Sequence, residues 1–256
     1  MRQRLKNLVK TTLSAFDIGV TRHSHLQSLL QYKNDINSIL DLPTDKLTAL
    51  LQAAKSSKSQ LKQDLFVLSE LNFKKGGFFI DCGAANGIDL SNSYLLEKEF
   101  GWTGILVEPA RCWHEELAKH RGSPIEKNCV WRDSRSTLQF NEAAELSTIT
   151  SYVWADHHGR SRAGGKTYDV GTISLVDLLD KYNAPKVIDY LSIDTEGSEY
   201  EILSNFDFNK YQFNTITCEH NFTAMREKIF LLLTKNGYTR KYVGLSEWDD
   251  WYVLSK

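Results

Sequence analysis

Residues 77–87 read "GFFIDCGAANG", and this stretch decides the fold prediction. Its first half is a short apolar run between turn signals, which is typical of a buried strand. Asp81 follows the run, and small residues then occupy every second position, at Gly83, Ala85 and Gly87. Turns of this kind let the backbone approach a bound nucleotide at the start of a helix. The stretch therefore predicts a strand, a nucleotide-binding turn and a helix in succession.

After this stretch, apolar strands alternate with helices. The predicted strands are 77–81, 104–108, 125–131, 187–194, 213–219, 238–244 and 250–256, and polar, irregular sequence separates the third from the fourth. Repeated strand–helix–strand units predict a parallel sheet with helices on both faces. Only "LSEWD" separates the last two strands, which is too short for a parallel crossover. We therefore predict a doubly wound α/β sheet of seven strands, Rossmann-like, with an antiparallel last strand.

The length of 256 residues suits one large α/β domain with a small appendage. The pattern before the sheet is mostly helical, which predicts a helical N-terminal extension over residues 1–60 and the main domain over residues 61–256. The 31 basic and 32 acidic residues nearly balance, so no overall field points to nucleic acid. The four cysteines form no closely spaced pair, which argues against zinc and disulfides and favours a reducing, cytoplasmic setting.

Residues 1–10 are basic and contain no acid. Arg2, Arg4, Lys6 and Lys10 lie among apolar residues at helical spacing. The pattern favours an amphipathic helix that packs on the domain, and a mitochondrial presequence also stays open. A further alternative is weak, salt-sensitive contact of residues 1–20 with an anionic membrane surface.

Asp81 distinguishes between two classes of cofactor. A carboxylate at the end of the first strand would repel the phosphates of a dinucleotide in a partly dry site. S-adenosylmethionine instead carries a sulfonium and an ammonium group, both of which a carboxylate attracts. Glu108, at the end of the next strand, is placed to accept hydrogen bonds from ribose hydroxyls with either cofactor. Asp81 therefore favours a methyltransferase over a dehydrogenase.

Two separated motifs resemble the FkbM-type S-adenosylmethionine-dependent methyltransferases. The stretch 76–109 resembles the first cofactor-binding unit of this family, and "YLSIDTEGSEYEIL" (residues 190–203) resembles its second signature. The resemblance covers about residues 60–240. It implies the seven-stranded methyltransferase variant of the Rossmann sheet and methyl transfer to hydroxyl oxygens, often on sugars or polyketides. Ala85 stands where many methyltransferases have a glycine, and an alanine there predicts a backbone φ below zero.

The resemblance also implies which residues hold the cofactor. The methionine part of the cofactor would be surrounded by residues of the glycine turn, namely Asp81, Gly83, Ala84, Asn86 and Gly87. Its ribose would contact Glu108 and Pro109. Its amino-acid end would be covered by Gln63 and Asp64, and its adenine would lie beside Asn128 or Asp133.

The acceptor chemistry is predicted at the ends of the fourth and fifth strands. One hypothesis has Asp194, Glu196 or His220 as general base, with His220 favoured by its ordinary pKa of about 6.5. The other has Asp194 and Glu219 hold Mg²⁺ or Mn²⁺, which lowers the pKa of the acceptor hydroxyl. The alternative is a purely structural role, in which Asp194 caps a helix and His220 is a hydrogen-bonded turn residue.

The acceptor itself is predicted from fewer signals. The loop 154–169 contains two adjacent histidines and three basic residues, and Arg160, Arg162 and Lys166 could grip a phosphate. Trp248 and Trp251 could stack on a sugar. We therefore predict O-methylation of a sugar or glycan hydroxyl, whether nucleotide-linked, lipid-linked or in a polysaccharide. The alternatives are another small-molecule or polyketide hydroxyl, or a cofactor-binding module without catalysis.

Overall fold

The computed structural model describes residues 23–255 of the chain. The predicted membrane contact through residues 1–20 therefore lies outside the described residues. The helices in chain order are α1 (His23–Leu40), α2 (Thr44–Ala54), α3 (Gln63–Glu70), α4 (Tyr94–Phe100), α5 (His114–His120), α6 (Gly159–Arg162), α7 (Leu175–Lys181), α8 (Glu199–Ser204) and α9 (Met225–Lys235). The strands are β1 (Phe78–Cys82), β2 (Thr103–Val107), β3 (Ile125–Glu126), β4 (Cys129–Trp131), β5 (Thr137–Glu142), β6 (Thr148–Ile149), β7 (Lys166–Ser174), β8 (Val187–Ile193), β9 (Gln212–Glu219), β10 (Tyr238–Lys241) and β11 (Asp249–Leu254).

Seven of these strands form the main sheet, in the order β10-β11-β9-β8-β1-β2-β3. Strands β9, β8, β1, β2 and β3 are parallel, and β11 runs antiparallel to β9 and β10 on either side of it. The predicted doubly wound sheet with an antiparallel last strand is thus confirmed. The chain leaves β1 towards β3 and returns through β8 on the opposite side of β1. The carboxyl ends of β1 and β8 therefore border the crevice where ligands bind in such sheets.

The structure corrects the third predicted strand. Residues 125–131 contain two strands. Strand β3 lies at the edge of the main sheet, and the chain then bends at Asn128 and leaves that sheet before β4 begins. Strand β4 joins β7, β5 and β6 in a second, four-stranded sheet that the sequence had not predicted. The strands of this small sheet follow β3 in the chain, and they supply residues to the site described below.

Both faces of the main sheet are apolar, because alternate side chains along each strand point to opposite sides. Ile80 of β1 packs with α7, α8 and α9, whereas its neighbour Phe79 packs with α3, α4 and α5. Helix α3, near the predicted domain boundary, contributes Phe66 and Val67 to the second of these layers. Helices from before and after the strands thus cover both faces of the sheet. Among residues 23–255, no helix has both the length and the hydropathy of a membrane span.

The described part of the N-terminal extension, residues 23–60, packs on the residues that follow it. Asp35 of α1 accepts a hydrogen bond from the backbone N–H of Gly244 at 2.6 Å, and Ala53 of α2 is buried in the core. Ser59 forms a parallel bridge with Leu90, in the loop that follows the glycine turn. The extension therefore reaches the loop that borders the crevice.

Candidate functional site

A cavity of about 550 Å³ opens at the carboxyl ends of β1, β2, β8 and β9. The glycine turn and the end of β2 form one side of it, and the ends of β8 and β9 form another. The small sheet and the loop that follows β6 cover it with Phe140, Ile149, His157 and His158. The switch point of the fold thus carries a partly open site large enough for a nucleoside and an acceptor group.

The glycine turn is shaped by close contact with β8. Gly83 has φ +95°, and a Cβ atom at this position would lie 2.1 Å from the carbonyl oxygen of Asp194. Ala85 has φ +44°, so the prediction of a φ below zero is wrong. The left-handed backbone points the N–H of Ala85 at Glu108, whose Oε2 accepts its hydrogen bond at 2.8 Å.

Asp81 and Glu108 both line the cavity and are both buried. Asp81 accepts a hydrogen bond from the hydroxyl of Ser93, and burial raises its pKa. Glu108 is held by two backbone donors, with Ala110 N–H at 2.7 Å from Oε1. Burial raises the pKa of Glu108 to about 7. Both carboxyls lie ready for ligand groups that donate hydrogen bonds or carry positive charge.

Three carboxyl groups meet on the opposite side of the cavity. One oxygen from each of Asp194, Glu196 and Glu219 lies within 4.8 Å of the other two. Burial, and then the charges of Asp249 and Glu199, raise the pKa of Asp194 to about 8. Burial and the nearby carboxyls raise the pKa of Glu219 as well. The predicted pair of Asp194 and Glu219 is thus brought together, with Glu196 as a third member.

Arg162 holds Glu196 from behind the cavity. Its guanidinium is fully buried, pairs with Glu196 and makes two 2.9 Å hydrogen bonds to Asp156. Burial and Asp194 raise the pKa of Glu196 to about 9, against the guanidinium, which lowers it. Arg160 and Lys166 are exposed, and Arg162 is committed to this ion pair. None of the three lines the cavity, so the structure does not form the phosphate grip predicted for them.

His220 does not fit the predicted role of general base. It is buried next to the acid cluster but does not line the cavity. Its Nδ1 accepts the backbone N–H of Phe222 at 3.0 Å, and burial lowers its pKa to about 4. The prediction assumed an ordinary pKa for His220, and the pKa is lower than that. The alternative that His220 is a hydrogen-bonded turn residue describes it better.

Gln63 and Asp64 lie behind the cavity wall. Gln63 donates to Asp249 at 2.8 Å and bonds with Ser59, whose hydroxyl also donates to Asn92 at 2.7 Å. Asn92 itself lines the cavity. Asp64 is fully buried and accepts a 2.8 Å hydrogen bond from Ser57. The two residues predicted to cover the cofactor therefore support the wall through neighbours.

Four other predicted cofactor residues also lie off the cavity lining. The side-chain oxygen of Asn86 closes the turn by accepting hydrogen bonds from the backbone N–H groups of residues 88 and 89. Gly87 packs so closely on α5 that a Cβ atom added to it would lie 2.6 Å from the side chain of Leu117. Asn128 bonds to Glu126, and Asp133 bonds to Ser136. The sequence-adjacent Cys129 and Val130 line the cavity instead. The predictions for residues 128 and 133 missed the wall because the chain turns between β3 and β4.

The sequence analysis also missed residues that the structure brings to the site. Ser93 bonds to Asp81 and Arg162 pairs with Glu196, and the sequence analysis assigned neither of these roles. Trp248 lines the cavity as predicted for a stacking residue, whereas Trp251 is buried against Phe66. Phe222 lines the cavity with 63% of its surface exposed. Its unusual exposure is visible only in three dimensions.

The charge of the cavity lining is one-sided. Its acidic residues are Asp81, Asp89, Glu108, Glu145, Asp194, Glu196 and Glu219. No lysine or arginine of the described chain lines the cavity, and its only basic residues there are His157 and His158. Burial raises the pKa of several of these carboxyls, and a cationic ligand favours their ionised form whereas a phosphate does not.

A family model for the methyltransferase FkbM domain matches residues 81–240. No curated protein matches the chain significantly. A solved structure of methyltransferase FkbM from Methylobacillus flagellatus KT is 11% identical, with a TM-score of 0.45, over 82% of this chain. An O-methyltransferase from Bacillus cereus, solved in complex with SAH, is 12% identical, with a TM-score of 0.42, over 97% of both chains.

The chain spans 59% of the length of the Methylobacillus protein. The family model, in contrast, covers the glycine turn, the Glu108 strand end and the acid cluster together. The protein therefore belongs to the FkbM methyltransferase domain family.

Proposed function

We propose that this protein is an S-adenosylmethionine-dependent O-methyltransferase that acts on a sugar or glycan hydroxyl. The observation that carries the proposal is the cavity lining of seven carboxyls without lysine or arginine. The sulfonium and ammonium groups of S-adenosylmethionine complement such a lining, whereas the diphosphate of a dinucleotide does not. Asp81 and Glu108 are suited to the amino-acid and ribose groups of this cofactor, in the order that the resemblance implied.

The acid cluster is suited to the acceptor side of the reaction. In methyl transfer the carbon–sulfur bond breaks as an oxygen–carbon bond forms, and the hydroxyl proton leaves the acceptor. Asp194, Glu196 and Glu219 offer oxygen ligands that lie close enough together for one Mg²⁺ or Mn²⁺. When bound, such a cation would lower the pKa of the acceptor hydroxyl. The cluster carboxyls themselves can orient that hydroxyl and take up its proton.

Two aromatic residues support a sugar as acceptor. Phe222 and Trp248 both line the cavity, and Phe222 is more than half exposed. Exposed aromatic faces beside carboxyl groups suit a sugar ring, whose C–H face stacks while its hydroxyls form hydrogen bonds. Another small-molecule hydroxyl would be an outcome of the acceptor screen described below.

Calorimetry with S-adenosylhomocysteine and with NAD tests the cofactor. We expect the first to bind and NAD not to bind, and we expect Asp81→Asn to weaken binding at least tenfold. Asp45→Asn, which changes an exposed acid on α2, is the matched control and should bind normally. Binding of NAD alone would contradict the proposal.

Turnover is tested with labelled S-adenosylmethionine and a panel of sugar and non-sugar acceptors. We expect Asp194→Asn to abolish transfer while it retains cofactor binding. Chelation with EDTA should remove activity, and added Mg²⁺ or Mn²⁺ should restore it. Full activity in EDTA would exclude the cation and leave the carboxyls as the base.

A further inference from the structure

Two adjacent histidines line the cavity and have no role in the site described so far. His157 and His158 lie just before α6, and their rings stack with 3.9 Å between the ring centroids. His157 is exposed and His158 is partly buried. Within residues 23–255, the hydrogen bonds of His158 come from its backbone, which leaves its ring available to a ligand in the cavity.

Three other histidines of the described chain use a ring nitrogen to hold the backbone. The rings of His114 and His120 each bond to a backbone carbonyl oxygen at 2.8 Å. His220 accepts a backbone N–H in its own turn. In the part of the chain that the structure describes, His157 and His158 are therefore the histidines that a ligand in the cavity can reach.

The turn that carries His158 is attached to the acid cluster. The N–H of His158 donates to Oδ1 of Asp156 at 2.7 Å, and its carbonyl oxygen accepts from the backbone N–H of Arg162 at 3.2 Å. Arg162 pairs with both Asp156 and Glu196. Asn221, which lines the cavity, donates to Asp156 at 3.3 Å and to Glu196 at 3.4 Å. One network of contacts therefore fixes the position of His158 relative to the acid cluster.

The surroundings of His158 favour its neutral ring. Burial, and then the charge of His157, lower the pKa of His158, and Arg162 lowers it further against the opposing effect of Asp156. A neutral imidazole has one nitrogen with a free lone pair, which can accept a proton. Because the side chain is only partly buried, a proton taken up by this ring can pass on to water.

We propose that His158 is the general base that removes the proton from the acceptor hydroxyl. The oxygen–hydrogen bond breaks as the proton moves to a ring nitrogen of His158, and the oxygen forms a bond to the methyl carbon. The carbon–sulfur bond breaks with its electron pair kept on sulfur, and the imidazolium then releases its proton to water. This role rests on the proposed methyl transfer, and it gives His158 the proton that the acid cluster would otherwise take.

Kinetics of His158→Ala test the role, with labelled S-adenosylmethionine and the acceptor that the panel identifies. We expect kcat to fall at least about a hundredfold, because positioned bases contribute on that order. The KM for the acceptor and the affinity for S-adenosylhomocysteine should stay close to those of the wild type. Added imidazole should restore part of the rate, and the more basic 4-methylimidazole should restore more. His25→Ala, which changes an exposed histidine of α1, is the matched control and should keep the wild-type rate.

Modification with diethyl pyrocarbonate tests the position of the ring without an acceptor. In the complex with S-adenosylhomocysteine, tandem mass spectrometry should find His158 modified, because the acceptor side of the cavity stays open. The buried His220 should stay unmodified. An unmodified His158 would overturn the proposal.

The kinetic outcomes separate this role from the proposed function. Undiminished turnover by His158→Ala, or a loss that neither imidazole restores, overturns the role of His158 alone. A wild-type protein that binds S-adenosylhomocysteine but methylates no acceptor overturns the proposed function, and the role of His158 with it.

Discussion

Several residues that border the cavity hold a left-handed backbone although they carry side chains. Ala85, Glu196, Asn221 and Phe222 have φ values of +44°, +59°, +43° and +55°. A left-handed conformation costs a residue with a Cβ about 1–2 kcal/mol, and such strain concentrates at binding and catalytic sites. The strain here is offset by specific contacts, such as the bond from Ala85 to Glu108. The site is therefore held in shape before a ligand arrives.

Gly83→Ala should destabilise the protein by about 3 kcal/mol or more, because it adds a steric clash to an unfavourable φ. Gly76→Ala is the matched control, since Gly76 has φ +65° but no atom within 4 Å of the added Cβ. The control should cost only about 1 kcal/mol. Urea unfolding of both variants measures the difference. Equal losses would show that contact with Asp194 does not require this glycine.

Asp64 allows a pH prediction for one buried carboxyl. Burial raises its pKa to about 6, so folding favours its protonated form. The stability that it contributes is complete below the unfolded pKa of about 3.9 and is lost as the pH rises to about 6. Asp64→Asn keeps an acceptor for Ser57 and does not ionise. We expect the variant to be more stable than the wild type by about 3 kcal/mol at pH 8.

At pH 4 the two proteins should be nearly equal in stability. Urea unfolding at both pH values measures the change, and an unaltered difference between them would contradict the raised pKa. S-adenosylhomocysteine should bind the variant normally, because Asp64 does not line the cavity.

At the scale of elements, α6 connects the small sheet to the acid cluster. Arg162, its last residue, also donates to the carbonyl oxygen of Leu146 at 3.1 Å, while its own carbonyl oxygen accepts from Asn141 of β5. One side chain thus joins the cover of the cavity to Glu196. Loss of this contact would affect both the cover and the charge balance of the site.

Arg162→Met should destabilise the protein by about 3–5 kcal/mol, because it removes the buried cation that pairs with Asp156 and Glu196 and leaves the charge of Asp156 uncompensated. Arg160→Met is the matched control on the same helix, where the side chain is exposed, and should change stability by less than about 0.5 kcal/mol. Chemical unfolding measures both variants. Equal destabilisation by the two variants would show that the buried ion pair contributes no more to stability than an exposed arginine does.

The elements show which features a single sequence can predict. Strands β1, β2, β8 and β9 were predicted because each is a short apolar run between turn signals, and the acids at their ends then fell at one edge of the sheet. The small sheet was missed because β5 and β7 pair across more than 20 residues of mostly irregular chain, in which β6 and α6 are short. Asn128 and Asp133 were misplaced because the chain turns between β3 and β4 and carries β4 into the small sheet. Contacts between distant segments leave no local periodicity to detect.

At the scale of the whole molecule, the protein is nearly neutral but buries several of its acidic side chains. Burial raises the pKa values of Glu108 and Asp249 to about 7 and that of Asp194 to about 8. The near balance of 31 basic and 32 acidic residues therefore conceals an uneven distribution. A cationic ligand in the cavity would offset part of this charge.

Stability should accordingly fall as the pH rises. Carboxyl groups with a raised folded pKa contribute stability that is complete below about pH 4 and is lost as the pH rises to about 9, the raised pKa of Glu196. We expect the free energy of unfolding to be at least about 2 kcal/mol lower at pH 8.5 than at pH 5.5. Added Mg²⁺ should reduce the difference if the acid cluster binds it. Urea titrations measure the trend, and greater stability at pH 8.5 would contradict it.

The position of β11 has a consequence for how the protein is made. This strand lies between β9 and β10, which both precede it in the chain. During synthesis, β9 is exposed as an unpaired sheet edge until β11 emerges, and an open edge of this kind invites pairing between chains. Asp249, the partner of Gln63, arrives with the same strand. We therefore expect a nascent chain that stalls after β10 to require a chaperone, and translation speed in this stretch to govern yield.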